Sequence, residues 1–257
     1  MSTYAQENIT YWTRRAPSYS DVNQEELGGS QHSVWSRVID QRIQSHFGNR
    51  SRDQIRLLDV GTGPGFFAII LAELGYQVTA VDYTEAMLNQ ARKNAGPLAS
   101  IIDFRRMDAE QLTFPDGAFD VIVSRNLTWN LPSPAKAYSQ WTRVLKENGL
   151  LLNFDANWYR YLFNAQANAL HLEDRKNVRE NNAADDTAGT DVDAMEAIAR
   201  QAPLSARRRP AWDIHVLHGL GMSVFADPEI WKQVWTQNER INNASTPMFL
   251  VHAVKAS

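Results

Sequence analysis

The feature that most constrains the fold is an alternation of short apolar runs and helical stretches between Ile55 and Phe154. The apolar runs are IRLLDV, QVTAVD, IIDFRRM, FDVIVS and LLLNF, and the helical stretches are FFAIILAEL, EAMLNQARKNA and PAKAYSQWTRVLKE. Strands that are apolar throughout and separated by helices are typical of βαβ units, in which helices cover both faces of a parallel sheet. The chain is therefore predicted to be an α/β protein.

The segments on either side of this alternation have other patterns. Apolar residues recur at helical spacing from Ser30 to Gly48, whereas Pro17, Gly28 and Gly29 are expected to interrupt regular structure before that helix. Residues 157–213 break the alternation. They combine a helical face with the polar stretch RENNAADDTAGTD, which predicts an inserted helical lid containing a flexible loop.

After the lid, VFADPEIW and TPMFLVHAVK are predicted to be strands that close the sheet. The predicted organisation is an N-terminal helical cap, a Rossmann-like core, the inserted lid and a C-terminal pair of strands. Their expected boundaries are 1–50, 51–156, 157–213 and 214–257.

Composition excludes several classes of function. The chain of 257 residues has a formal net charge of -3, so no summed positive field draws it to nucleic acid. It contains no cysteine, which excludes disulfides, thiolate zinc sites and cysteine nucleophiles. His215 and His218 are three residues apart, but no metal-ligand pattern is present. Without a signal peptide or an apolar span of about 18 residues, we expect a cytoplasmic protein with no membrane partner.

A glycine-rich loop follows the first predicted strand, in the stretch LLDVGTGPG at residues 57–65. A loop of this kind between a strand and a helix lets the backbone approach a ligand closely. The dinucleotide fingerprint is G-x-G-x-x-G, whereas Gly61, Gly63 and Gly65 are evenly spaced. The spacing therefore disfavours a nicotinamide or flavin dinucleotide.

Two carboxylates narrow the ligand further. Asp59 precedes the loop and would repel a pyrophosphate, but it would attract a cation such as the ammonium of an amino acid. Asp82 ends the next strand, the position from which an acid accepts hydrogen bonds from ribose hydroxyls. The alternatives are a helix-terminal acid for Asp59 and a plain strand-end residue for Asp82. The pattern favours a ligand with a ribose and a positive charge.

The motifs occur together in the order found in one family. LLDVGTGPGFFAIILAELGYQVTAVDYTEAML and MDAEQLTFPDGAFDVIVSRNLTWNLPSPAKAYSQWTRVLKENGLLL resemble class I S-adenosylmethionine-dependent methyltransferases of the ubiquinone/menaquinone-methyltransferase-like small-molecule group. The resemblance covers roughly residues 55–154. It implies S-adenosylmethionine as cofactor, a small-molecule acceptor and a seven-stranded, mostly parallel sheet whose last strand is antiparallel.

The resemblance also implies roles for individual residues. Asp59 and the loop from Gly61 to Gly65, including Thr62 and Gly63, would hold the methionine end of the cofactor. Asp82 would bind the ribose. The residues implied to lie near the adenine or to border the cofactor are Tyr83, Met87, Asp108, Ala109, Glu110, Ser124 and Asn126. Asp108 has the alternative role of a turn former.

Candidates on the acceptor side come from position and residue type alone. Asp155 follows the fifth strand, and His32 lies near the front of the Ser30–Gly48 helix. The aromatic candidates are Tyr19, Trp129, Trp158 and Tyr159. Each has an ordinary packing or surface role as its alternative. Arg207, Arg208 and Arg209 would form either a clamp for an anion or a solvated basic turn.

No residue is an obvious general base, so we expect alignment of the reacting groups to dominate catalysis. Two other functions stay open at this point. One is a protein that binds the cofactor without transferring its methyl group, and the other, less favoured, is a nucleotide-dependent oxidoreductase.

Overall fold

The computed structural model describes residues 3–48 and 50–256. In these residues a seven-stranded sheet has the order β3-β2-β1-β4-β5-β7-β6. The strands are β1 (Arg56–Val60), β2 (Gln77–Asp82), β3 (Asp103–Arg106), β4 (Phe119–Arg125), β5 (Leu145–Asp155), β6 (Met222–Asp227) and β7 (Phe249–Lys255). Strands β1 to β5 pair in parallel, and β7 runs antiparallel to both β5 and β6. The predicted sheet with a reversed last strand is confirmed.

The helices surround this sheet. They are α1 (Thr3–Gly28), α2 (Ser30–Phe47), α3 (Phe66–Glu73), α4 (Glu85–Ala95), α5 (Pro134–Val144), α6 (Ala165–Glu180), α7 (Val192–Ala199), α8 (Ala211–Gly219), α9 (Trp231–Val234) and α10 (Gln237–Asn242). Side chains of α2, α3 and α9 pack on one face of the sheet, and those of α5 and α8 pack on the other. In β1, Leu57 faces the first layer and Leu58 the second, as alternation along a strand requires.

The N-terminal segment differs from the prediction. Helix α1 continues through Pro17 and ends only at Gly28. Proline removes one backbone donor from a helix, but packing against the rest of the protein stabilises a helix more than local propensity does. Helix α1 packs along α4 and α2, with Tyr4, Tyr11 and Ala16 among its buried side chains. The expected interruption at Pro17 was therefore wrong, whereas the one at Gly28 and Gly29 is confirmed, since Gly29 is extended and α2 begins at Ser30.

The predicted flexible loop in the lid segment is held by hydrogen bonds. The side-chain amide of Asn242, in α10, donates to the carbonyl oxygen of Ala184 at 2.9 Å and accepts from the backbone N–H of Asp186 at 3.1 Å. Arg175 of α6 also forms an ion pair with Asp185 at 3.1 Å. The polar stretch thus contacts the C-terminal part of the chain.

Candidate functional site

A cavity of about 400 Å³ opens at the carboxyl ends of β1, β2 and β4. This is the edge of an open α/β sheet at which ligands bind, and the volume lies within the usual range for small-molecule sites. Its walls come from the glycine loop, the ends of β2 and β4, the turn after β3, the segment from Asn130 to Ser133 and one face of α1. Sequence positions far apart therefore meet around one space.

The glycine loop forms the floor of this cavity. Gly61, Gly63 and Gly65 all have positive φ angles, of 70°, 53° and 96°. The backbone N–H groups of Gly61 and Thr62 donate to the carbonyl oxygen of Val81 at 2.9 and 3.0 Å. A Cβ atom at Gly61 would lie 2.6 Å from a methyl carbon of Leu127. Only glycine satisfies both the backbone conformation and this close approach.

Asp59 lies beside the main cavity, in a smaller space of about 30 Å³ that it lines together with Asn23, Thr62 and Arg125. Its side chain is 2 % exposed, and one carboxylate oxygen accepts a hydrogen bond of 2.6 Å from the hydroxyl of Thr62. Burial raises the pKa of Asp59 to about 7, against the opposing effect of the Thr62 hydrogen bond. An ammonium group bound here would favour the ionised carboxylate.

Asp82 joins the end of β2 to the glycine loop. One of its carboxylate oxygens accepts from the backbone N–H of Gly63 at 3.1 Å. The other accepts from the backbone N–H and the hydroxyl of Thr84, at 2.9 and 3.0 Å. Burial raises the pKa of Asp82. These bonds hold the carboxylate in the cavity wall, where its remaining lone pairs are suited to hydroxyl donors.

The turn after β3 supplies another acidic part of the wall. The backbone N–H of Glu110 donates to a carboxylate oxygen of Asp108 at 2.8 Å, so Asp108 forms the turn and also lines the cavity. The carbonyl oxygen of Ala109 accepts from the indole of Trp141 at 3.0 Å. Glu110 accepts from the backbone N–H of Ser133 at 2.5 Å, and burial raises the pKa of its carboxyl. Tyr83 and Met87 line the same region.

The end of β4 contributes residues at different depths. Asn126 lines the cavity with a φ of 55°, whereas Ser124 is fully buried and donates to the carbonyl oxygen of Val60 at 2.9 Å. Arg125 lines both spaces, and its two terminal nitrogens donate to the carboxylate of Glu26 at 2.8 and 2.9 Å. This guanidinium is thus neutralised by α1.

The wall formed by α1 was missed in the sequence, except for Tyr19. The missed residues are Ala5, Asn8, Ile9 and Trp12. Their spacing of three and four residues is that of one helix face, and it was the available signal. The helix is held at this place by Asn130. The carbonyl oxygen of Asn130 accepts from the hydroxyl of Tyr4 at 2.8 Å and from the side chain of Asn8 at 2.9 Å.

The structure separates the acceptor-side candidates. Tyr19 lines the cavity, with its ring against Gly63, and burial raises its pKa, so its hydroxyl stays protonated. Trp129 and Tyr159 pack on each other with ring centroids 4.9 Å apart, outside the set of described residues that line the cavity. Their placement supports the packing alternative.

Three candidates are contradicted by their surroundings. Asp155 is fully buried and its carboxylate accepts from Thr128 and from the indole of Trp158, so it is already paired inside the protein. Trp158 packs on that carboxylate and on Trp235 instead of lining the cavity. Nε2 of His32 lies 2.5 Å from a carboxylate oxygen of Glu73, on the surface of α2 and α3. None of these three side chains is placed to touch an acceptor.

The arginine run divides, because Arg207 and Arg208 are exposed, as the solvated turn predicts, whereas Arg209 is buried. Arg209 is 4 % exposed and forms ion pairs of 2.6 Å with both Asp155 and Asp213, so it is neither a solvated turn residue nor a free clamp for an anion. Within the described residues, no group of three or more histidine, aspartate or glutamate side chains is arranged to hold a metal ion. In the same part of the chain, no helix has the length and hydropathy to cross a bilayer.

The ionisable side chains around the site are mainly acidic. Asp82, Asp108 and Glu110 line the main cavity and Asp59 lines the smaller space, whereas the guanidinium of Arg125 is paired with Glu26. Opposite charges attract most strongly where water is excluded. The cavity is therefore suited to a ligand with a positive charge and hydroxyl groups, and it opposes a pyrophosphate.

Comparison with known proteins agrees with this geometry. Residues 58–153 match the family model described as a methyltransferase domain. A phosphatidylethanolamine N-methyltransferase of Cereibacter sphaeroides is 34% identical over 96 residues, which cover 37% of this chain and 47% of that protein. A ubiquinone/menaquinone biosynthesis C-methyltransferase of Methylobacterium nodulans is 33% identical over 136 residues, which cover 51% and 52% of the two chains. The chain thus spans about half the length of the curated relatives it matches.

A solved structure extends the likeness of the fold. The S-adenosylmethionine-dependent methyltransferase from Mesorhizobium loti superposes with a TM-score of 0.57 at 18% identity. The superposition covers 89% of this chain and 100% of the other. Because the identity is low, this comparison shows that the two chains share a fold and nothing more.

Proposed function

We propose that this chain, whose residues 58–153 form a class I S-adenosylmethionine-dependent methyltransferase domain, transfers the methyl group of that cofactor to a small-molecule acceptor. The observation that carries the proposal is the convergence of Asp59, Asp82 and Asp108 with the glycine loop around one cavity and its small extension. A sulfonium, an ammonium and ribose hydroxyls are the groups that such a site recognises.

The residues present fit the cofactor. Gly61 and Gly63 leave the backbone open to a ligand, and the carboxylate of Asp82 is held in the wall by three hydrogen bonds from the protein. In the proposed arrangement Asp59 binds the ammonium and Asp82 the ribose. Asp108, with the neighbouring Ala109 and Glu110, borders the adenine. When bound, S-adenosylmethionine would supply an electrophilic methyl group that is transferred to the acceptor in line with the breaking carbon–sulfur bond, and S-adenosylhomocysteine would leave as a neutral thioether.

The contribution of the protein is alignment. Holding two reactants in line lowers a barrier by as much as ~7–11 kcal/mol in the ideal case. Tyr19 and Trp12 lie on the face of α1 that lines the cavity, with ring centroids 5.7 Å apart. We assign this aromatic wall to the positioning of the acceptor. Since the raised pKa of Tyr19 keeps its hydroxyl protonated, that group serves as a hydrogen-bond donor and not as a base.

The relatives are named for different acceptor atoms. One is an N-methyltransferase and the other a C-methyltransferase, and each is matched over about half of its length. We therefore assign binding of the cofactor, which such relatives have in common, to the matched segment. We infer that α1, which lines the cavity outside the matched segment, determines which small molecule is methylated.

The decisive experiment supplies S-adenosylmethionine, labelled in its methyl group, to the purified protein with a metabolite extract. Mass spectrometry then identifies the labelled product. Asp82→Asn is expected to abolish labelling. The control is Asp103→Asn, a surface carboxylate on β3 that pairs with Arg105, and it should label as the unchanged protein does. Labelling that persists in Asp82→Asn would contradict the assignment of the ribose site.

The alternatives predict other results. Calorimetry with S-adenosylhomocysteine and NAD in parallel separates them. Binding of S-adenosylhomocysteine without any labelled product across varied extracts would support a cofactor-binding protein that transfers nothing. Binding of NAD alone would support an oxidoreductase and would overturn the proposed function.

A further inference from the structure

A buried ionic cluster lies behind the cavity wall, and the proposed reaction so far makes no use of it. Its centre is the guanidinium of Arg209, whose side chain is 1% exposed. We propose that Arg209 is a positioning residue, which fixes the turn Thr128–Asn130 in the cavity wall and thereby sets the position of α1 against that turn. This inference rests on the function proposed above.

The guanidinium makes directional contacts to three side chains. Its Nη1 donates to Asp155 at 2.6 Å, and its Nη2 donates to the hydroxyl of Thr128 at 2.6 Å. Nη2 and Nε also donate to the two carboxylate oxygens of Asp213, at 2.6 and 2.9 Å. The planar fork of arginine matches this arrangement, which a lysine would not reproduce.

Thr128 and Asp155 connect the guanidinium to the turn by hydrogen bonds. The hydroxyl of Thr128 donates to Oδ2 of Asp155 at 2.6 Å, and the same oxygen accepts from the backbone N–H of Trp129 at 3.0 Å. The carboxylate that Arg209 holds therefore caps the start of the turn. The side chain of Asn153 adds a donor to Thr128 at 3.1 Å.

The end of the turn reaches the cavity. Asn130 lines the cavity and accepts through its backbone carbonyl from both Tyr4 and Asn8 of α1. Its side-chain amide also donates to the side chain of Asn8 at 3.0 Å. Arg209 is thus linked by successive hydrogen bonds to the helix that forms the opposite wall.

The charges of this cluster indicate that it fixes the positions of the groups it binds, and that it does more than fill space. One guanidinium faces two buried carboxylates, and Tyr138 supplies a further donor to Asp213 at 2.6 Å. Apolar side chains would fill such a space without the cost of desolvating three charges. The backbone of Arg209 is held as well, because its N–H and carbonyl both pair with the side chain of Asn157, at 3.1 and 3.0 Å.

The test removes one hydroxyl from the cluster. Thr128→Val loses the contacts to Arg209 and Asp155 while it keeps the shape of the side chain, and Thr128→Ser retains the hydroxyl. The control is Thr142→Val, another buried threonine, 9% exposed, on α5, whose hydroxyl contacts the sulfur of Met222. Arg209→Lys serves as a second variant of the central residue, since it keeps the charge but not the fork.

Three measurements are made on each variant. In Thr128→Val we expect hydrogen exchange at the amides of residues 129–131 to accelerate at least about tenfold, with exchange in α5 unchanged. The affinity for S-adenosylhomocysteine should stay within about threefold, while kcat for the labelled product falls about tenfold at an unchanged KM for the cofactor. Thr128→Ser should restore both exchange and kcat, and Arg209→Lys should behave like Thr128→Val.

The contradicting results are equally specific. Unchanged exchange in the turn of Thr128→Val, the same loss in Thr142→Val, or no recovery in Thr128→Ser would overturn the proposal. If the unchanged protein forms no labelled product, the proposed function fails, and the exchange data alone then decide whether Arg209 positions the turn.

Discussion

The raised pKa of Asp59 gives the cofactor site a defined pH dependence. Because the pKa of the Asp59 carboxyl is about 7, this group is mostly protonated at pH 6 and mostly ionised at pH 8. An ammonium ligand therefore meets a carboxylate mainly at the higher pH. The ionised fraction changes from about one in eleven to about ten in eleven over this interval. If only the ionised form binds, the apparent Kd for S-adenosylhomocysteine should be about tenfold higher at pH 6 than at pH 8.

Titration calorimetry measures this effect directly. At pH 7 about half of the Asp59 carboxyls are protonated, so binding should release about half a proton per ligand, visible in buffers of different ionisation enthalpy. Asp59→Asn should bind more weakly and should lose both the proton release and most of the pH dependence. Asp103→Asn, at the surface of β3, should keep both. A Kd that is the same at pH 6 and pH 8, or a slope that persists in Asp59→Asn, would refute the reasoning.

The same pKa predicts the opposite trend for stability without a ligand. Because burial raises the pKa of the folded protein above the ordinary value of 3.8, the folded state binds the additional proton. The contribution to the free energy of unfolding is complete below pH 4 and is lost as the pH rises through 7. The difference between the unchanged protein and Asp59→Asn should change by an amount on the order of 4 kcal/mol over this range, measured by chemical denaturation.

Three further predictions follow from contacts in the site. Gly61→Ala places a Cβ 2.6 Å from Leu127 and should lower the free energy of unfolding by about 1–3 kcal/mol and weaken binding of S-adenosylhomocysteine. Gly75→Ala also has a positive φ but an open surrounding, so binding should be unaffected; equal binding in both variants would contradict the clash. Arg209→Met leaves two buried carboxylates unpaired and should lower the free energy of unfolding by about 3–5 kcal/mol, measured with denaturant. Tyr4→Phe removes the hydrogen bond from the Tyr4 hydroxyl to the turn and should lower the free energy of unfolding by about 0.5–1.5 kcal/mol. It should also speed release of S-adenosylhomocysteine in stopped flow, and an unchanged release rate would contradict a role of this bond in holding α1 against the turn.

The sheet could be predicted because its signals are local. Apolar strands, helix periodicity and the glycine loop each depend on neighbouring residues, and the number of strands and the reversed last strand follow from the family that these motifs resemble. The residues around the glycine loop could likewise be recognised from the motif that contains them. Asp82, for instance, lies at the end of its strand and contacts Gly63, a residue of the same motif.

The parts that could not be predicted depend on partners distant in sequence. Pro17 is a local signal against a helix, but α1 continues through it because it is stabilised by packing against α4, which no local pattern shows. Asp155 was correctly placed at the end of β5. The direction of its side chain is set by Arg209, which is 54 residues away along the chain. Position along a strand does not determine whether a carboxylate faces a ligand or the interior.

The helix face that forms one wall of the cavity has a kinetic consequence. Helix α1 borders the cofactor space at Trp12 and Tyr19 and is tied to the turn through Asn8. A wall held by a few hydrogen bonds can loosen locally without unfolding of the sheet, whichever acceptor is used. We expect alignment at the methyl group, and not release of the product past this helix, to limit turnover, so that product forms without an initial burst.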